Sequence, residues 1–161
     1  MKLSTKGRYA VMAMADLASN TSGKPVSLAD VAGRQEISLS YLEQLFGKLR
    51  RGGLVKSVRG PGGGYLLAKA PTDMRVSDII MAVDEPITAT RCTPGSTHGC
   101  HSNKARCLTH DLWQELGNQI YLYLNTVSLD DICSKRIQTS SDSIDRLIED
   151  NLETAPFRAA Q

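Results

Sequence analysis

The sequence predicts a mainly α-helical fold with one small β-hairpin, in a chain long enough for one compact domain and an appendage. Apolar residues recur at helical spacing over residues 5–51, and two β-prone segments around a glycine run follow at 54–68. A long amphipathic pattern returns after residue 110. With 41% hydrophobic and 22% charged residues, the 161-residue chain has an ordinary globular balance, which argues against wholesale disorder.

Two helices are predicted before residue 35. Residues 5–19 place their apolar side chains on one face, and a polar, glycine-containing turn follows. Residues 28–34 predict the second helix. Ser27 is a suitable N-cap for it, because Asp30 stands three positions later and can reach back to the free amides.

A third helix is predicted over residues 39–51, where two glycines end it. Its inward positions follow the helical period and are Leu42, Leu45, Phe46 and Leu49. Two short helices joined by a tight turn have the spacing of a helix-turn-helix unit.

The hairpin is predicted from two β-prone segments, 54–59 and 65–68, joined by the glycine-rich residues 60–64. A hairpin directly after a helix-turn-helix is a wing, so we predict a winged helix-turn-helix domain over residues 1–84. Arg59 borders a tip with almost no side chains, so the backbone there can approach a groove closely. The positive charge of an arginine at this place suits the negative potential of a DNA minor groove. Alternatively, the glycines only close the hairpin and Arg59 is solvated.

Positive charge is concentrated in this part of the chain. Residues 1–70 carry 11 Lys/Arg against 4 Asp/Glu, or +7, whereas residues 71–161 carry 8 against 13, or −5. This division suggests that one end meets a polyanion such as double-stranded DNA, although uneven charge without a partner is the alternative. The residues expected to contact the DNA backbone are Lys6, Arg8, Tyr41, Lys48, Arg50, Arg51 and Lys56.

The exposed face of the third helix carries Ser40, Glu43 and Gln44. Glutamine pairs with adenine and glutamate accepts from cytosine, so Glu43 and Gln44 are candidate base readers. Ser40 and Glu43 also have the spacing of a capping box, which would give Glu43 a structural role instead.

A short helix is predicted over residues 75–84, and the loop that follows, residues 85–110, holds a set of metal-ligand residues. These are separated by seven, six and two residues and are Cys92, Cys100, Cys107 and His110. Three thiolates and an imidazole suit zinc as well as an iron–sulfur cluster, and the wide spacings favour the larger group. His98 and His101 are further possible ligands, whereas Cys133 is expected to be a small buried hydrophobe.

No segment has the roughly 18 apolar residues that a membrane span needs. The amino terminus only faintly resembles a signal peptide, because Asp16 interrupts its apolar run. We therefore expect a cytoplasmic protein whose cysteines remain reduced and serve metal or redox chemistry. An enzyme is not expected, because the sequence has no nucleotide-binding glycine fingerprint and no nucleophile–base motif.

The long amphipathic helix is predicted over about residues 111–126, and its apolar stripe is wider than a lone surface helix needs. We expect a homodimer packed through this helix, although packing on its own winged domain is the alternative. Residues 111–134 are thus assigned to dimerisation, and the acidic residues 135–161 are expected to form a flexible tail. The expected interface residues are Leu112, Trp113, Leu116, Ile120 and Tyr123.

Four blocks of sequence, 6–11, 37–45, 57–65 and 89–92, together with the Cys/His set, resemble a bacterial family of iron–sulfur cluster regulators. The similarity covers about residues 1–130. It implies a homodimeric winged-helix transcription factor that holds one [2Fe–2S] cluster per subunit and receives it from the iron–sulfur assembly machinery. With the cluster, such a protein represses its own cluster-assembly operon, and without it the protein still acts at a second class of site.

The resemblance also implies residue roles. Ligation falls on Cys92, Cys100, Cys107 and His110. Bases are faced by Ser40, Glu43 and Gln44, and the minor groove by Arg59. The ligands here are spaced more widely than in the family, and a loop absorbs the extra residues at little entropic cost.

Two rival functions are a winged-helix repressor with a structural zinc and an iron–sulfur carrier. A carrier would need neither the basic half nor the wing.

Overall fold

The computed structural model describes residues 4–87, 100 and 105–137. Over these ranges the protein is mainly helical with a small two-stranded antiparallel sheet, as the sequence predicts. In chain order the elements are α1 (Thr5–Asn20), α2 (Leu28–Gln35), α3 (Leu39–Arg51), β1 (Val55–Val58), β2 (Gly64–Leu67), a 3-10 turn (Pro71–Asp73), α4 (Val76–Ala82), α5 (His110–Thr126) and α6 (Leu129–Cys133).

The helix-turn-helix is formed by α2 and α3, and each begins at a serine. The Ser27 hydroxyl accepts a hydrogen bond from the backbone N–H of Asp30, which confirms it as the N-cap of α2. Ser38 is the N-cap of α3, so Ser40 is the second residue inside this helix. The alternative of a capping box formed by Ser40 and Glu43 is therefore wrong, because Ser40 lies two residues after the N-cap.

The core lies between α1, α3, α4 and the hairpin. Its largest members are fully buried and include Met14, Leu17, Leu42, Phe46 and Leu49. The ring of Phe46 meets that of Tyr65 on β2 edge to face, with centroids 4.9 Å apart. This contact fixes the hairpin against the third helix.

One buried charge network joins α1 to α2. The Asp16 side chain, only 3% exposed, accepts hydrogen bonds from the Arg34 guanidinium (2.6 Å for the shortest) and from the Gln35 amide (2.8 Å). Burial by itself would raise the pKa of Asp16, but the hydrogen bonds from Arg34 and Gln35 outweigh it and hold this pKa below its ordinary value.

The hairpin is tied to the helical part at a second point. Its strands pair in register from Val55 with Leu67 to Val58 with Gly64. Tyr65 and Val26 also exchange two backbone hydrogen bonds, of 2.8 and 3.0 Å, so the turn before α2 adds a short third segment to the sheet. The base of the wing is therefore held on both sides.

The last two helices return to the winged domain. The backbone N–H of Val76 donates to the carbonyl of Val127 (3.0 Å), and the Ser77 hydroxyl donates to the Asn125 side chain (2.9 Å). Helix α6, which the sequence analysis did not predict, begins at a capping box of Ser128 and Asp131 and packs on α1. Within the described ranges, none of the helices has the length and apolar character to cross a membrane.

Candidate nucleic-acid interface and metal centre

The predicted base-reading residues lie on the solvent face of α3. Ser40, Glu43 and Gln44 are all exposed, and the opposite face of the helix is buried in the core. Within the described part of the chain, neither Glu43 nor Gln44 is engaged in a side-chain hydrogen bond. Both side chains are thus free to contact base edges, and removal of the capping role for Glu43 leaves base reading as its remaining candidate role.

Seven residues are predicted to contact the DNA backbone. Five of them are exposed or half-buried without a hydrogen bond or ion pair to an acidic residue among the described residues, and the other two contact an acidic residue. Arg8, Arg50, Arg51 and Lys56 are exposed, and Tyr41 is half-buried because its ring packs edge to face on Tyr9. The half-buried residues Lys6 and Lys48 both contact Asp84.

Asp84 follows the end of α4 and contacts α3. Sequence reasoning did not identify it as part of this surface. The Lys48 ammonium is 2.9 Å from the Asp84 carboxylate, and the Lys6 ammonium donates to the Asp84 carbonyl at 3.4 Å. The hydrogen bond from Lys48, together with its charge, lowers the pKa of Asp84. A phosphate that binds Lys48 must therefore compete with this carboxylate.

Glu85, the next residue, holds the start of α1. Its carboxylate accepts from the Ser4 backbone N–H (2.5 Å), the Ser4 hydroxyl (2.8 Å) and the Gly7 backbone N–H (2.5 Å). A Cβ at Gly7 would lie 2.6 Å from this carboxylate, so glycine permits the approach. Residues 84–85 thus join α1 and α3 to the segment that leads toward Cys92.

The tip of the wing is bare, as predicted, with Arg59 exposed at its edge. Gly60 and Gly62 have φ values of 100° and 71°, which L side chains rarely adopt. A Cβ at Gly63 would lie 2.5 Å from the Val58 carbonyl oxygen and 2.8 Å from that of Gly60. The tight turn therefore depends on glycine and leaves a surface that can approach a groove closely.

Three of the four predicted ligands are described, and two of them, Cys100 and His110, are in side-chain contact at the start of α5. His110 is the first residue of this helix and is only 4% exposed. Its Nδ1 lies 3.2 Å from the Cys100 Sγ, and its backbone N–H donates to the Cys107 carbonyl at 3.0 Å. Cys92, His98 and His101 lie outside the described residues.

The described donors form only part of the predicted metal site. Among residues 4–87, 100 and 105–137, no three His, Cys, Asp or Glu side chains are gathered closely enough to hold a metal ion. The direct contact between a thiol and an imidazole nitrogen nevertheless places two metal donors together, and the backbone of Cys107 is hydrogen-bonded to that of His110. This chemistry fits an iron–sulfur cluster or zinc once a further thiolate joins it.

Gln114 is a second residue that sequence reasoning missed. Its Oε1 lies 3.0 Å from the Nε2 of His110, one turn earlier on α5. A polar residue four positions after a histidine at a helix start is the signal that could have identified it.

The outer face of α5 is apolar and exposed among the residues that the structure describes. Leu112 is 62% exposed, Trp113 45% and Tyr123 54%, Leu116 is also exposed, and Ile120 is half-buried. Another side of the helix meets α4, where the Ser77 hydroxyl donates a hydrogen bond to the Asn125 side chain. Packing on the winged domain therefore explains only one side of the helix.

The chain is similar to known DNA-binding transcriptional regulators. Residues 3–135 match the Rrf2 family, which is described as an iron-dependent transcriptional regulator. The HTH-type transcriptional regulator IscR of Pectobacterium carotovorum is 52% identical over 136 residues, which are 84% of this chain and 81% of that protein.

Two solved structures share the fold as well as the sequence pattern. IscR of T. potens superposes with a TM-score of 0.67 at 38% identity, over 85% of this chain and 89% of its own. CymR, titled the global cysteine regulator of B. subtilis, gives a TM-score of 0.68 at 34% identity, over 84% and 98%.

Proposed function

The chain belongs to the Rrf2 family of transcriptional regulators, and from this we propose that it is a homodimer whose choice of DNA sites depends on a [2Fe–2S] cluster in each subunit. As a DNA-binding regulator it is not an enzyme. The observation that supports the cluster is the contact between Cys100 and His110 at the start of α5, where the His110 backbone N–H also donates to the Cys107 carbonyl.

In this proposal the cluster is held by Cys92, Cys100, Cys107 and His110. When bound, the cluster supplies a group that oxidants or iron shortage can remove. The imidazole replaces one thiolate, which lowers the negative charge at one iron. The protein's part is to hold these four side chains together, and the cytoplasmic iron–sulfur assembly machinery is the donor that we expect.

On the DNA side, α3 enters the major groove and the wing approaches the minor groove. Ser40, Glu43 and Gln44 face bases, and Arg59 enters the minor groove. The exposed position of these four side chains supports the assignment. The backbone contacts, which position the protein without reading sequence, are Lys6, Arg8, Tyr41, Lys48, Arg50, Arg51 and Lys56.

The proposed coupling passes through α5, because His110 is both a ligand and the first residue of the dimerisation helix. Loss of the cluster relaxes residues 92–110, shifts the start of α5 and changes which DNA sites tolerate Glu43. By linkage, cluster occupancy and binding to preferred sites must then stabilise each other. Repression of its own cluster-assembly operon with the cluster, and action at other sites without it, follow as expected outcomes.

The donor set, and not the fold, distinguishes the possible signals, because CymR shares the fold and is titled a cysteine regulator. We would purify the full chain without oxygen and measure iron, acid-labile sulfide and zinc per chain. The proposal expects about two irons and two sulfides.

Two variants make this measurement specific. Cys107→Ala should lose the iron and sulfide, whereas Cys133→Ala, which removes a half-buried thiol beside the Ala15 carbonyl, should retain them. About one zinc and no sulfide would instead make the same residues a structural clasp and overturn the cluster.

A further inference from the structure

The ring of His110 is held between two polar groups on opposite sides. Nε2 lies 3.0 Å from the Oε1 of Gln114, and Nδ1 lies 3.2 Å from the Sγ of Cys100. Because the ring is only 4% exposed, water contributes little to its hydrogen bonding. Its orientation therefore depends on these protein partners.

The two contacts differ in what they permit. An amide oxygen can only accept, so the ring nitrogen that faces it must carry the proton. A neutral imidazole has one N–H, and the other nitrogen then has its lone pair free. In this arrangement the lone pair is on Nδ1 and is directed toward Cys100.

We propose that Gln114 is a positioning residue that holds His110 in the Nε2–H tautomer and thereby presents Nδ1 as the ligand atom. A metal-bound histidine usually donates its second N–H to such an oxygen, which fixes the ring and raises its basicity. The ligand role rests on the proposed function, whereas the tautomer is a property of the cluster-free chain.

Placement on α5 gives this contact a further consequence. His110 and Gln114 are one turn apart on the helix that carries the exposed apolar stripe. The direction of the Nδ1 lone pair is thus tied to the orientation of the first turn of α5. Any rotation of that turn re-aims the ligand.

The first test uses the cluster-free, reduced, full-length protein in mildly alkaline buffer. Long-range ¹H–¹⁵N correlation spectra report the tautomer of each imidazole, and a His98→Asn/His101→Asn background leaves the signal of His110 alone. We expect the Nε2–H form in the parent and in Gln114→Glu, which keeps an acceptor. Gln114→Leu should lose this preference, whereas Gln119→Leu, an exposed change on the same helix, should keep it.

An Nδ1–H tautomer in the parent, or no change in Gln114→Leu, would overturn the proposal. The second test loads the protein with histidine labelled with ¹⁵N at either ring position and records pulsed EPR of the reduced cluster. The strongly coupled nitrogen should be Nδ1, and coupling from Nε2 would contradict the ligand assignment. Absence of any cluster would overturn the proposed function and the ligand role together, while the tautomer result would still stand.

Discussion

Gln44 on α3 and Arg59 beside the wing tip are exposed side chains that can be truncated without disturbing the core. We expect Gln44→Ala to weaken binding to a preferred DNA site by about 1–3 kcal/mol and to relax specificity at one base position. Arg59→Ala should weaken binding because it removes a cation from the minor groove. Fluorescence anisotropy with labelled DNA measures both.

Two comparisons keep this result interpretable. Lys24→Ala removes one exposed positive charge from the turn between α1 and α2 and should cost less than Arg59→Ala. Iron content per chain should be the same in all three variants. Unchanged DNA affinity in both Gln44→Ala and Arg59→Ala would remove the α3–wing surface as the DNA site.

The Asp16 network predicts a pH-dependent stability. The folded-state pKa of Asp16 lies below its ordinary value of 3.8, so the stability it contributes is present above that value. This contribution is lost as the pH falls through the folded-state pKa. We expect Asp16→Asn to lower the free energy of unfolding at pH 7 by about 1–3 kcal/mol.

Urea denaturation at a series of pH values checks this expectation. The gap between the parent and Asp16→Asn should narrow in strong acid, because the parent carboxylate is then protonated too. Asp73→Asn is the matched control, since Asp73 is exposed. A gap that is constant with pH would show that the charge of Asp16 is not what stabilises the junction of α1 and α2.

Side-chain roles on α3 illustrate what sequence alone predicts at this scale. The exposed and buried faces follow from the 3.6-residue period, and α3 has the predicted bounds of 39–51. The contact between Lys48 and Asp84 could not be predicted, because it joins residues 36 positions apart through tertiary packing. The spacing of Ser40 and Glu43 also allowed a capping box, which the position of the N-cap at Ser38 excludes.

Among the elements, the wing depends on its glycines most directly. Gly63→Ala places a Cβ against two carbonyl oxygens, at 2.5 and 2.8 Å, so the tip must distort. We expect DNA affinity to fall about tenfold, which corresponds to about 1.4 kcal/mol. The helices and the metal content should be unaffected, because the tip is exposed and separate from the core.

Gly33→Ala is the matched control for this change. Gly33 lies within α2, and a Cβ there meets nothing within 4 Å. Alanine should therefore stabilise the protein by about 0.4–1 kcal/mol and leave DNA binding intact. DNA affinity reduced equally by both substitutions would contradict a specific role for the wing tip.

Helix α6 is the element that the sequence pattern did not predict. It has only five residues, too few for helical periodicity to be recognised. Its capping box, Ser128 with Asp131, was nevertheless readable as a local signal. Its packing on α1 depends on how α5 returns to the domain, which is a tertiary property.

At the scale of the molecule, the outer face of α5 is exposed among the described residues, and this exposure leads us to expect a dimer. Leu116→Glu introduces a charge into the exposed apolar stripe without touching the core of the single chain. We expect the mass measured by sedimentation to fall from two chains to one while the helical circular dichroism is retained. Buried interfaces of this apolar kind tolerate an unpaired charge poorly.

Leu39→Glu makes the same substitution at an exposed leucine on α3 and should leave the dimer intact. A dimer that persists in Leu116→Glu would favour the alternative that α5 serves only its own winged domain. The exposed apolar face of α5 could be predicted from the sequence, because the apolar stripe is wider than one packing surface needs. Helical spacing does not encode what covers this face, because that depends on how chains assemble.

Under the proposed function, cluster occupancy changes the affinity of the protein for different DNA sites, and this can be measured directly. Duplexes are selected from a random library with the anaerobically purified protein in its cluster-bound and cluster-free forms. The affinity of both forms for every selected duplex is then compared. We expect at least one class of site to be bound about 5–150-fold more tightly by the cluster-bound form, the range typical of allosteric coupling. Equal affinity of the two forms for all selected sites would contradict the account.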